Sequence, residues 1–284
     1  MNKNVIDTDL SGKVAVVTGA GGAICSVLAM ALARAGARVA LLNRTYEKAD
    51  KVAQRINKEG GTARAYACNV LDKTRCREVA AEVLRDLGPC DILLNGAGGN
   101  APGATTENDY YRPGDIDGEI RSFFDLDDDS VRGVFDLNFA GTLIPTQVFA
   151  EQMVGREGCN ILNISSMNAY TPLTRIPAYS GAKAAVSNFT QWLAVYFSRE
   201  GIRVNAIAPG FFLSAQNSSL LFDEAGNPTS RTEKILAATP MGRLGDTENE
   251  LTGAMLFLLN NEAASFITGV CIPVDGGFSA YSGV

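Results

Sequence analysis

Short β-branched segments alternate with helical segments in the first third of this chain, and this alternation limits the possible folds more than any other feature. Residues 13–18, 38–42, 63–67 and 91–95 have the composition of buried strands, and the segments between them have helical periodicity. One strand and one helix together take about 25 to 30 residues, which is typical of parallel strands joined by helical crossovers. Right-handed crossovers then place the helices on both faces of the sheet.

The rest of the chain extends this pattern and interrupts it twice. Three more strands are predicted, at 160–164, 203–207 and 270–274. Two segments, at about 97–126 and 211–240, are predicted as irregular insertions. No low-complexity linker or internal repeat divides the sequence, so we expect one domain over residues 1–284. The prediction is an α/β protein with a three-layer, doubly wound (Rossmann) fold and a seven-stranded parallel sheet.

The residue composition excludes several kinds of site. The 284 residues include no histidine, which removes every mechanism that needs an imidazole base and the commonest ligands of catalytic zinc. The six cysteines are scattered without a C-x-x-C pair, as expected of reduced, mostly buried thiols in a cytosolic protein. We therefore expect no metal centre.

Charge and hydropathy limit the partners. The chain has 25 Lys and Arg against 31 Asp and Glu, and its net charge of −6 argues against a nucleic-acid or anionic-membrane surface. The first residues lack the apolar run of a signal peptide, and no stretch approaches the roughly 18 apolar residues of a membrane helix. We expect a cytoplasmic protein that acts on a small molecule.

Residues 166–183, SMNAYTPLTRIPAYSGAK, contain a tyrosine and a lysine four positions apart, Tyr179 and Lys183. If Pro177 begins a helix, both side chains lie on one face of its first turns. An ammonium group beside a phenol favours the phenolate and lowers the pKa of the tyrosine from about 10, which suits proton transfer to or from an alcohol oxygen. Ser166 precedes Tyr179 by a loop long enough to return its hydroxyl to the phenol. Taken alone, the Y-x-x-x-K spacing also fits an ordinary surface pair.

A glycine-rich turn, TGAGGAIC at 18–25, follows the first predicted strand. In a doubly wound sheet this turn binds the pyrophosphate of a dinucleotide, because small residues admit the phosphates and the helix N-terminus favours their charge. The turn lacks the G-x-G-x-x-G spacing, so an ordinary tight turn is the alternative. We predict contacts from Gly19, Gly21, Gly22, Ala23 and Ile24.

Asn43 and Arg44 end the second predicted strand, where the adenosine ribose of a dinucleotide is recognised. No carboxylate is present to repel a 2′-phosphate, and Arg44 is able to pair with one. The sequence therefore favours NADP over NAD. The alternative is a solvated Arg44 with NAD bound through Asn43.

Two further features, the segment NGAG at 95–98 and the residue Asn138, lie in or next to predicted core elements. The segment NGAG at 95–98 ends the fourth strand, where bare glycines either admit a flat ligand or merely allow a turn. Asn138 lies in an apolar helix predicted over residues 128–154, and a buried asparagine needs partners. It either bends the helix or belongs to a polar relay.

Together these motifs resemble those of the short-chain dehydrogenase/reductases, and the resemblance covers nearly the whole chain. The motifs that carry it are the glycine turn from Thr18, Asn69-Val70, the segment 95–98, Asn138, Ser166, Tyr179-x-x-x-Lys183 and Pro209-Gly210. The resemblance implies NAD(P)-dependent oxidoreduction of an alcohol or carbonyl group. It also implies the strand order 3-2-1-4-5-6-7 and a homotetramer or homodimer.

The resemblance assigns roles to these residues. Tyr179 is expected to donate or take the oxygen proton, while Lys183 lowers its pKa and contacts the nicotinamide ribose. Ser166 is expected to position the carbonyl oxygen, and Asn138 to support a water relay. The expected cofactor-binding residues are Gly19, Gly21, Gly22, Ala23, Ile24, Asn43, Arg44, Asn69, Val70, Asn95, Gly96, Ala97, Gly98, Tyr179, Lys183, Pro209, Gly210 and Phe212.

The glycine turn departs from the family pattern at two positions. The family sequence TGxxxGxG has glycines where this chain has Ala23 and Cys25. Both residues are small, so we expect a dinucleotide to bind with a changed geometry at the pyrophosphate.

Longer segments resemble one subfamily, the short-chain-type D-mannonate oxidoreductases (fructuronate reductases). These segments are residues 123–127, 135–150, 165–195, 208–212 and 273–284. The resemblance implies a hexuronate/aldonate pair as substrate and product. A dehydrogenase of another polyol or small keto acid is one alternative. The other is a non-catalytic nucleotide sensor, which needs none of the four catalytic residues.

Polar residues near the motifs predict a polar substrate pocket. Asn100, Asn168 and Thr171 offer polar groups at its mouth, where a site for a steroid or fatty acyl chain would be more apolar. Either Arg175 or Arg112 is expected to clamp a carboxylate bidentately, the alternative for each being a solvated surface charge.

Overall fold

A seven-stranded parallel sheet lies at the centre of the computed structural model, which describes residues 7–213 and 218–283. The strands are β1 Val14–Thr18, β2 Arg38–Asn43, β3 Thr62–Ala67, β4 Ile92–Asn95, β5 Cys159–Ile164, β6 Ile202–Pro209 and β7 Cys271–Val274. Their order is β3-β2-β1-β4-β5-β6-β7, with every neighbouring pair parallel. The predicted fold class and strand order are confirmed.

The central strands are apolar throughout because both faces of the sheet are covered. Every residue of β1 is buried. Successive side chains of a strand point to opposite faces, so Val16 and Val17 enter different cores. Val17 packs with Leu28 of the first helix on one face, and Val16 packs with Val79 of the third helix on the other.

Helices connect the strands as the alternation predicts. They are α1 Ala23–Arg34, α2 Tyr46–Lys58, α3 Lys73–Asp86, α4 Asp128–Phe135, α5 Gly141–Phe149, α6 Pro177–Tyr196, α7 Ser218–Leu221, α8 Ser230–Ala238 and α9 Thr252–Leu259. Within the ranges that the structure describes, none of them has both the length and the apolar character that a bilayer crossing requires.

The helix predicted over residues 128–154 is interrupted, which corrects that prediction. A π-helical turn, Asp136–Ala140, separates α4 from α5. In this turn the amide of Asn138 donates 2.7 Å to the carbonyl oxygen of Val134, and Thr142 donates 2.8 Å to the carbonyl oxygen of Asn138. These side chains compete for the carbonyl groups of the helical ladder, and single π turns of this kind are common at functional sites.

The two predicted insertions meet at the carboxyl edge of the sheet. The first contains only 3₁₀ turns, Pro102–Ala104, Asp115–Asp117 and Phe123–Asp125. The second contains α7 and α8. Residues of both line one cleft with the start of α6, at the edge where doubly wound sheets bind their ligands.

Candidate active site

Helix α6 carries the tyrosine and the lysine four residues apart, and it begins at Pro177 as the sequence predicts. The ammonium Nζ of Lys183 lies 5.7 Å from the centroid of the Tyr179 ring. Lys183 is buried, and its Nζ donates 2.8 Å to the carbonyl oxygen of Ile164, the last residue of β5. Burial of the long side chain therefore fixes the ammonium between β5 and α6.

Ser166 is buried at the end of the strand-to-turn connection after β5. Its Oγ caps the 3₁₀ turn Met167–Ala169 by accepting 3.3 Å from the backbone N–H of Asn168. In this bond the Ser166 oxygen is the acceptor, so its hydroxyl proton is not used. That proton is therefore available to Tyr179. The neighbouring Ser165 hydroxyl bonds to the Ser187 hydroxyl at 2.6 Å and thereby ties β5 to α6.

The pKa values around this pair differ from the sequence-based expectation. Burial raises the pKa of Tyr179, and a hydrogen bond with the Ser166 hydroxyl lowers it in part. Burial also lowers the pKa of Lys183 to about 8. The expectation that Lys183 lowers the pKa of Tyr179 is therefore corrected: the hydroxyl of Ser166 is the group that favours the phenolate, and burial outweighs it.

Asn138 lies next to the lysine, fully buried in the π turn. Its Oδ1 accepts 3.2 Å from the N–H of Gly99, and its Nδ2 donates 2.7 Å to the carbonyl oxygen of the same residue. A Cβ on Gly98 would lie 2.6 Å from Asn138 Oδ1 and 3.1 Å from Lys183 Nζ. Asn138 thus bends its helix, and it also holds the loop after β4 beside Lys183.

The glycine turn between β1 and α1 fits a dinucleotide pyrophosphate. Gly19 has a left-handed φ of 64°, and a Cβ there would lie 2.9 Å from Ala97. Helix α1 begins after Gly22 without a side-chain cap and without an acidic residue in its first turn. Its first N–H groups therefore lack side-chain acceptors and attract an anion. A cleft of about 590 Å³ opens beside Gly21 and Ala23.

One of the two departures from the family turn, Cys25, is accommodated by its surroundings. The Cys25 thiol is buried against Gly96, where an added Cβ would lie 2.1 Å from the sulfur. The glycine at 96 thus makes room for the larger side chain at 25. Burial raises the pKa of Cys25 to about 12, so the thiol stays protonated.

The segment 95–98 is anchored to β1. The hydroxyl of Thr18 accepts the N–H groups of Gly96 at 3.0 Å and Ala97 at 3.2 Å. Asn95 is buried and donates to Thr146 and Asn163, both at 2.9 Å. These bonds fix the segment at the edge of the sheet.

The residues predicted to contact the adenosine line the ends of β2 and β3. Asn43 is half-buried and donates 2.8 Å to the carbonyl oxygen of Thr45, whereas Arg44 is exposed. Asn69 is exposed and Val70 is buried in the turn after β3. All four lie at the carboxyl edge, together with the glycine turn.

Beyond β6, the predicted contacts are packed against β7 and the segment before α9. A Cβ on Gly210 would lie 2.6 Å from the Cα of Asp275, so only glycine fits there without a shift. Phe212 is buried with its ring against Gly245, whose N–H bonds to the carbonyl oxygen of Phe211. Pro209 is the last residue of β6.

A cleft of about 670 Å³ opens onto Tyr179. Of the predicted substrate residues, Asn100 and Arg175 line it, whereas Asn168, Thr171 and Arg112 do not. Asn168 is buried with its Oδ1 unpartnered. Thr171 donates 3.3 Å to the carbonyl oxygen of Ser279, and Arg112 is exposed on the first insertion.

Several residues that line this cleft were not predicted. They are Gly99, Thr105, Asp109, Leu173, Thr174, Ile176, Phe211, Ser230, Arg231, Lys234, Ile235, Ala238 and Phe278. The two cationic residues of α8, Arg231 and Lys234, are among them. No local pattern links α8 to Tyr179, because contacts between insertions distant in sequence bring them together.

This arrangement of fold and site residues is found together with a match to a known protein family. Residues 13–224 match the short chain dehydrogenase family. The chain belongs to this family. As a member, it is an NAD(P)-dependent oxidoreductase that acts on alcohol and keto groups.

Similar proteins extend over nearly the whole length of this short-chain dehydrogenase. A Haemophilus influenzae protein, named an uncharacterized oxidoreductase, is 59% identical over 276 residues, which are 97% of this chain and 96% of the relative. The gluconate 5-dehydrogenase of Gluconobacter oxydans is 35% identical over 270 residues, 95% of this chain and 96% of the relative. A crystal structure of a Haemophilus influenzae protein, provisionally named a D-mannonate oxidoreductase and solved with bound NAD, has a TM-score of 0.94 and 58% identity, covering 99% of each chain.

Proposed function

We propose that this short-chain dehydrogenase interconverts a keto group and a secondary alcohol on a six-carbon sugar acid, with D-fructuronate and D-mannonate as the pair. One observation carries the proposal: most of the residues that line the cleft at Tyr179 have polar side chains. Nine of its sixteen lining residues end in nitrogen or oxygen, among them Asn100, Thr105 and Thr174. A polyhydroxylated substrate exchanges its hydrogen bonds with water for bonds with such groups, whereas a steroid or acyl chain would leave them unpaired.

Two similar proteins support a sugar acid. The Haemophilus influenzae structure is provisionally named for D-mannonate, and the Gluconobacter oxydans relative is named for gluconate. Both names denote aldonic acids, which carry a carboxylate beside a chain of hydroxyl groups. The polar lining of the cleft is consistent with that chemistry.

The geometry supports a division of work among four side chains. Tyr179 gives a proton to the carbonyl oxygen in reduction and takes one from the hydroxyl in oxidation. Its raised pKa keeps it protonated at neutral pH, which favours its role as general acid. The Ser166 hydroxyl, whose oxygen already accepts the Asn168 N–H, donates to the same carbonyl oxygen. When bound, the dinucleotide supplies or accepts the hydride.

Lys183 and Asn138 act around the proton donor. The buried Lys183 ammonium is held by the carbonyl oxygen of Ile164, which leaves its other N–H groups to contact a ribose hydroxyl. Asn138 holds Gly99 through both of its amide atoms and so fixes the floor of the cleft next to Lys183. We propose that it also supports a water relay to the ammonium.

The proposed cofactor is a nicotinamide dinucleotide, held by the glycine turn and the ends of β2 and β3. The preference for NADP rests on Arg44, which is exposed at the end of β2 where a 2′-phosphate would lie. The similar Haemophilus influenzae structure contains NAD instead. The preference therefore depends on whether Arg44 engages a phosphate, which a substitution is able to decide.

We also propose that the protein is a homotetramer or homodimer. Helix α6 exposes a row of stacked aromatic rings, in which Phe189 lies parallel to Trp192 and Trp192 to Tyr196. Trp192 and Tyr196 are exposed by 57% and 64% in the isolated chain. Packing against a second copy would bury them. Light scattering after size-exclusion chromatography measures the subunit number, and a monomer would contradict this part of the proposal.

A substrate panel tests the proposed function. D-Fructuronate, 5-ketogluconate, D-fructose and a bile-acid ketone are offered with NADH and with NADPH, and the loss of reduced nicotinamide is followed by absorbance. We expect the highest kcat/KM with D-fructuronate and D-mannonate as the product. Faster turnover of the neutral sugar or of the steroid would contradict the proposal. Preference for 5-ketogluconate would replace the named pair by another sugar acid.

A further inference from the structure

The cleft at Tyr179 carries an excess of positive charge in an otherwise acidic protein. Its charged lining residues are Arg175, Arg231, Lys234 and the single carboxylate Asp109. The whole chain has a net charge of −6. A cleft lined by one sign of charge concentrates ligands of the opposite sign. The lining therefore favours an anionic substrate.

Two of the three cations already have partners. The Nζ of Lys234 lies 3.4 Å from Oδ2 of Asp109, and the other oxygen of that carboxylate accepts 3.3 Å from the Thr174 hydroxyl. The Nε of Arg175 donates 2.8 Å to the carbonyl oxygen of Thr106. These bonds connect the first insertion to α8 and to the loop before α6.

Arg175 is also constrained by its backbone. Its φ of 74° is the one left-handed angle of a non-glycine residue in the part of the chain that the structure describes. Its carbonyl oxygen accepts 2.9 Å from the N–H of Thr106, the residue that also accepts its Nε–H. One guanidinium bond and one backbone bond therefore tie Arg175 to Thr106. With its Nε–H already bonded, Arg175 has lost the side-on pair of donors of its planar fork and retains the end-on pair.

Arg231 is the third cation of the cleft, and its guanidinium N–H groups are available to bind a ligand. It lies in the first turn of α8 and is exposed at the wall of the cleft. Among residues 7–213 and 218–283, no acidic side chain or carbonyl oxygen pairs with its guanidinium. An arginine without a partner, on the wall of a cleft that contains a proton donor, is suited to bind a carboxylate through two parallel hydrogen bonds.

We propose that Arg231 binds the carboxylate of the sugar acid and thereby orients its keto group towards Tyr179. This inference rests on the proposed function and adds the residue that selects acids over neutral sugars. Asp109 holds Lys234 and so keeps the cleft wall in place, while Arg231 makes the direct contact. Neither of the arginines predicted from the sequence, Arg175 or Arg112, takes that role.

The test compares Arg231→Gln with Arg231→Lys and with Arg112→Gln in the full-length enzyme. KM and kcat are measured for D-fructuronate and for D-fructose, which has a hydroxymethyl group in place of the carboxylate. For Arg231→Gln we expect the KM of the acid to rise by about 10- to 100-fold, the range of a lost charge-assisted pair. The kcat/KM for the neutral sugar stays within about twofold. Arg231→Lys keeps the charge without the fork and is expected to lie between the wild type and Arg231→Gln.

The outcomes separate the two proposals. Wild-type enzyme that turns over neither D-fructuronate nor D-mannonate overturns the proposed function and the carboxylate contact with it. Wild-type turnover with an unchanged KM in Arg231→Gln overturns the contact alone. An equal loss on the acid and on the neutral sugar shows a structural role for Arg231 and also overturns it. A raised KM in Arg112→Gln but not in Arg231→Gln assigns the carboxylate to the first insertion.

Discussion

The ammonium group of Lys183 is hydrogen-bonded to the carbonyl oxygen of Ile164 at 2.8 Å, deep between β5 and α6. One of the three ammonium N–H groups makes this bond to the backbone. The whole side chain is buried and therefore removed from water. Desolvation then lowers the pKa of the lysine to about 8. The same apolar surroundings raise the pKa of Tyr179. At neutral pH the pair is thus a charged lysine, whose pKa lies only slightly above the pH, beside a protonated phenol.

This relationship predicts a specific pH dependence of stability. Below pH 8 the Lys183 ammonium is charged in the folded and in the unfolded chain, so folding includes the full cost of burying it. Between about pH 8 and 10.5 the folded chain binds fewer protons than the unfolded chain, and stability rises with pH. Relative to Lys183→Met, we expect the wild-type free energy of unfolding to rise by on the order of 1–3 kcal/mol across this window. Urea unfolding of both proteins at pH 7.5 and about 10 measures it, and parallel pH curves would show that the buried amine does not titrate there.

Replacing the proposed proton donor tests the chemistry. Tyr179→Phe removes the phenolic hydroxyl and keeps the ring, so kcat is expected to fall by about 10² to 10⁴-fold while the dinucleotide still binds. Steady-state kinetics and calorimetric titration with the dinucleotide measure the two effects. Tyr170→Phe is the matched control, because it loses a 2.6 Å bond to the carbonyl oxygen of Cys271 outside the cleft. Wild-type turnover in Tyr179→Phe would remove this residue from the mechanism.

The π turn at Asn138 is expected to affect activity as well as stability. Asn138→Ala removes the bonds to Gly99 and Val134 and leaves buried backbone groups unpaired, at a cost of roughly 1–3 kcal/mol. We expect kcat to fall also, because Gly99 lines the cleft. Asn160→Ala, a buried asparagine near the opposite end of β5, is expected to lose stability at unchanged kcat. Equal kcat values for both variants at low temperature would assign Asn138 a purely structural role.

Gly98 separates Asn138 from Lys183, and a methyl group there should disturb both. The added Cβ would lie 2.6 Å from Oδ1 of Asn138, which Gly99 holds in place. We expect Gly98→Ala to lower kcat/KM by about 10²-fold, as small displacements of a reacting geometry do. Gly133→Ala in α4 is the control, since its Cβ would meet no atom within 4 Å. If Gly98→Ala behaves like that control, the segment 95–98 is not close to the reacting groups in solution.

A substitution of Arg44 tests the predicted preference for NADP over NAD. If it pairs with a 2′-phosphate, Arg44→Ala raises the KM for NADPH by about 10-fold or more and leaves the KM for NADH unchanged, because hydrogen bonds to charged groups are worth about 1.5–3 kcal/mol. Kinetics with both reduced dinucleotides at saturating sugar acid measure this. Equal, small effects on both would make NAD the working cofactor and leave Arg44 a solvated side chain.

The fold could be predicted because its signal is local and repeated. The composition of β1 and the periodicity of α1 follow from neighbouring residues, and each predicted strand agrees with the observed strand to within about two residues. The spacing of Tyr179 and Lys183 likewise specifies one helix face. In the same way, a glycine turn after the first strand indicates a dinucleotide site wherever the sheet is doubly wound.

The tertiary structure decided what depends on distant contacts. The loop that carries Gly99 is held beside Lys183 by Asn138, which lies 39 positions away along the chain. The raised pKa of Tyr179 follows from how completely folding removes water, which the spacing of two residues does not specify. Arg231 reaches the cleft because α8 packs beside the loop before α6, and no periodicity connects the two. The sequence determined the elements and their chemistry, because these depend on local backbone preference and hydrophobic pattern. The packing of distant segments determined which charges meet in the cleft and which protons they hold, because desolvation and pairing exist only once those segments are folded together.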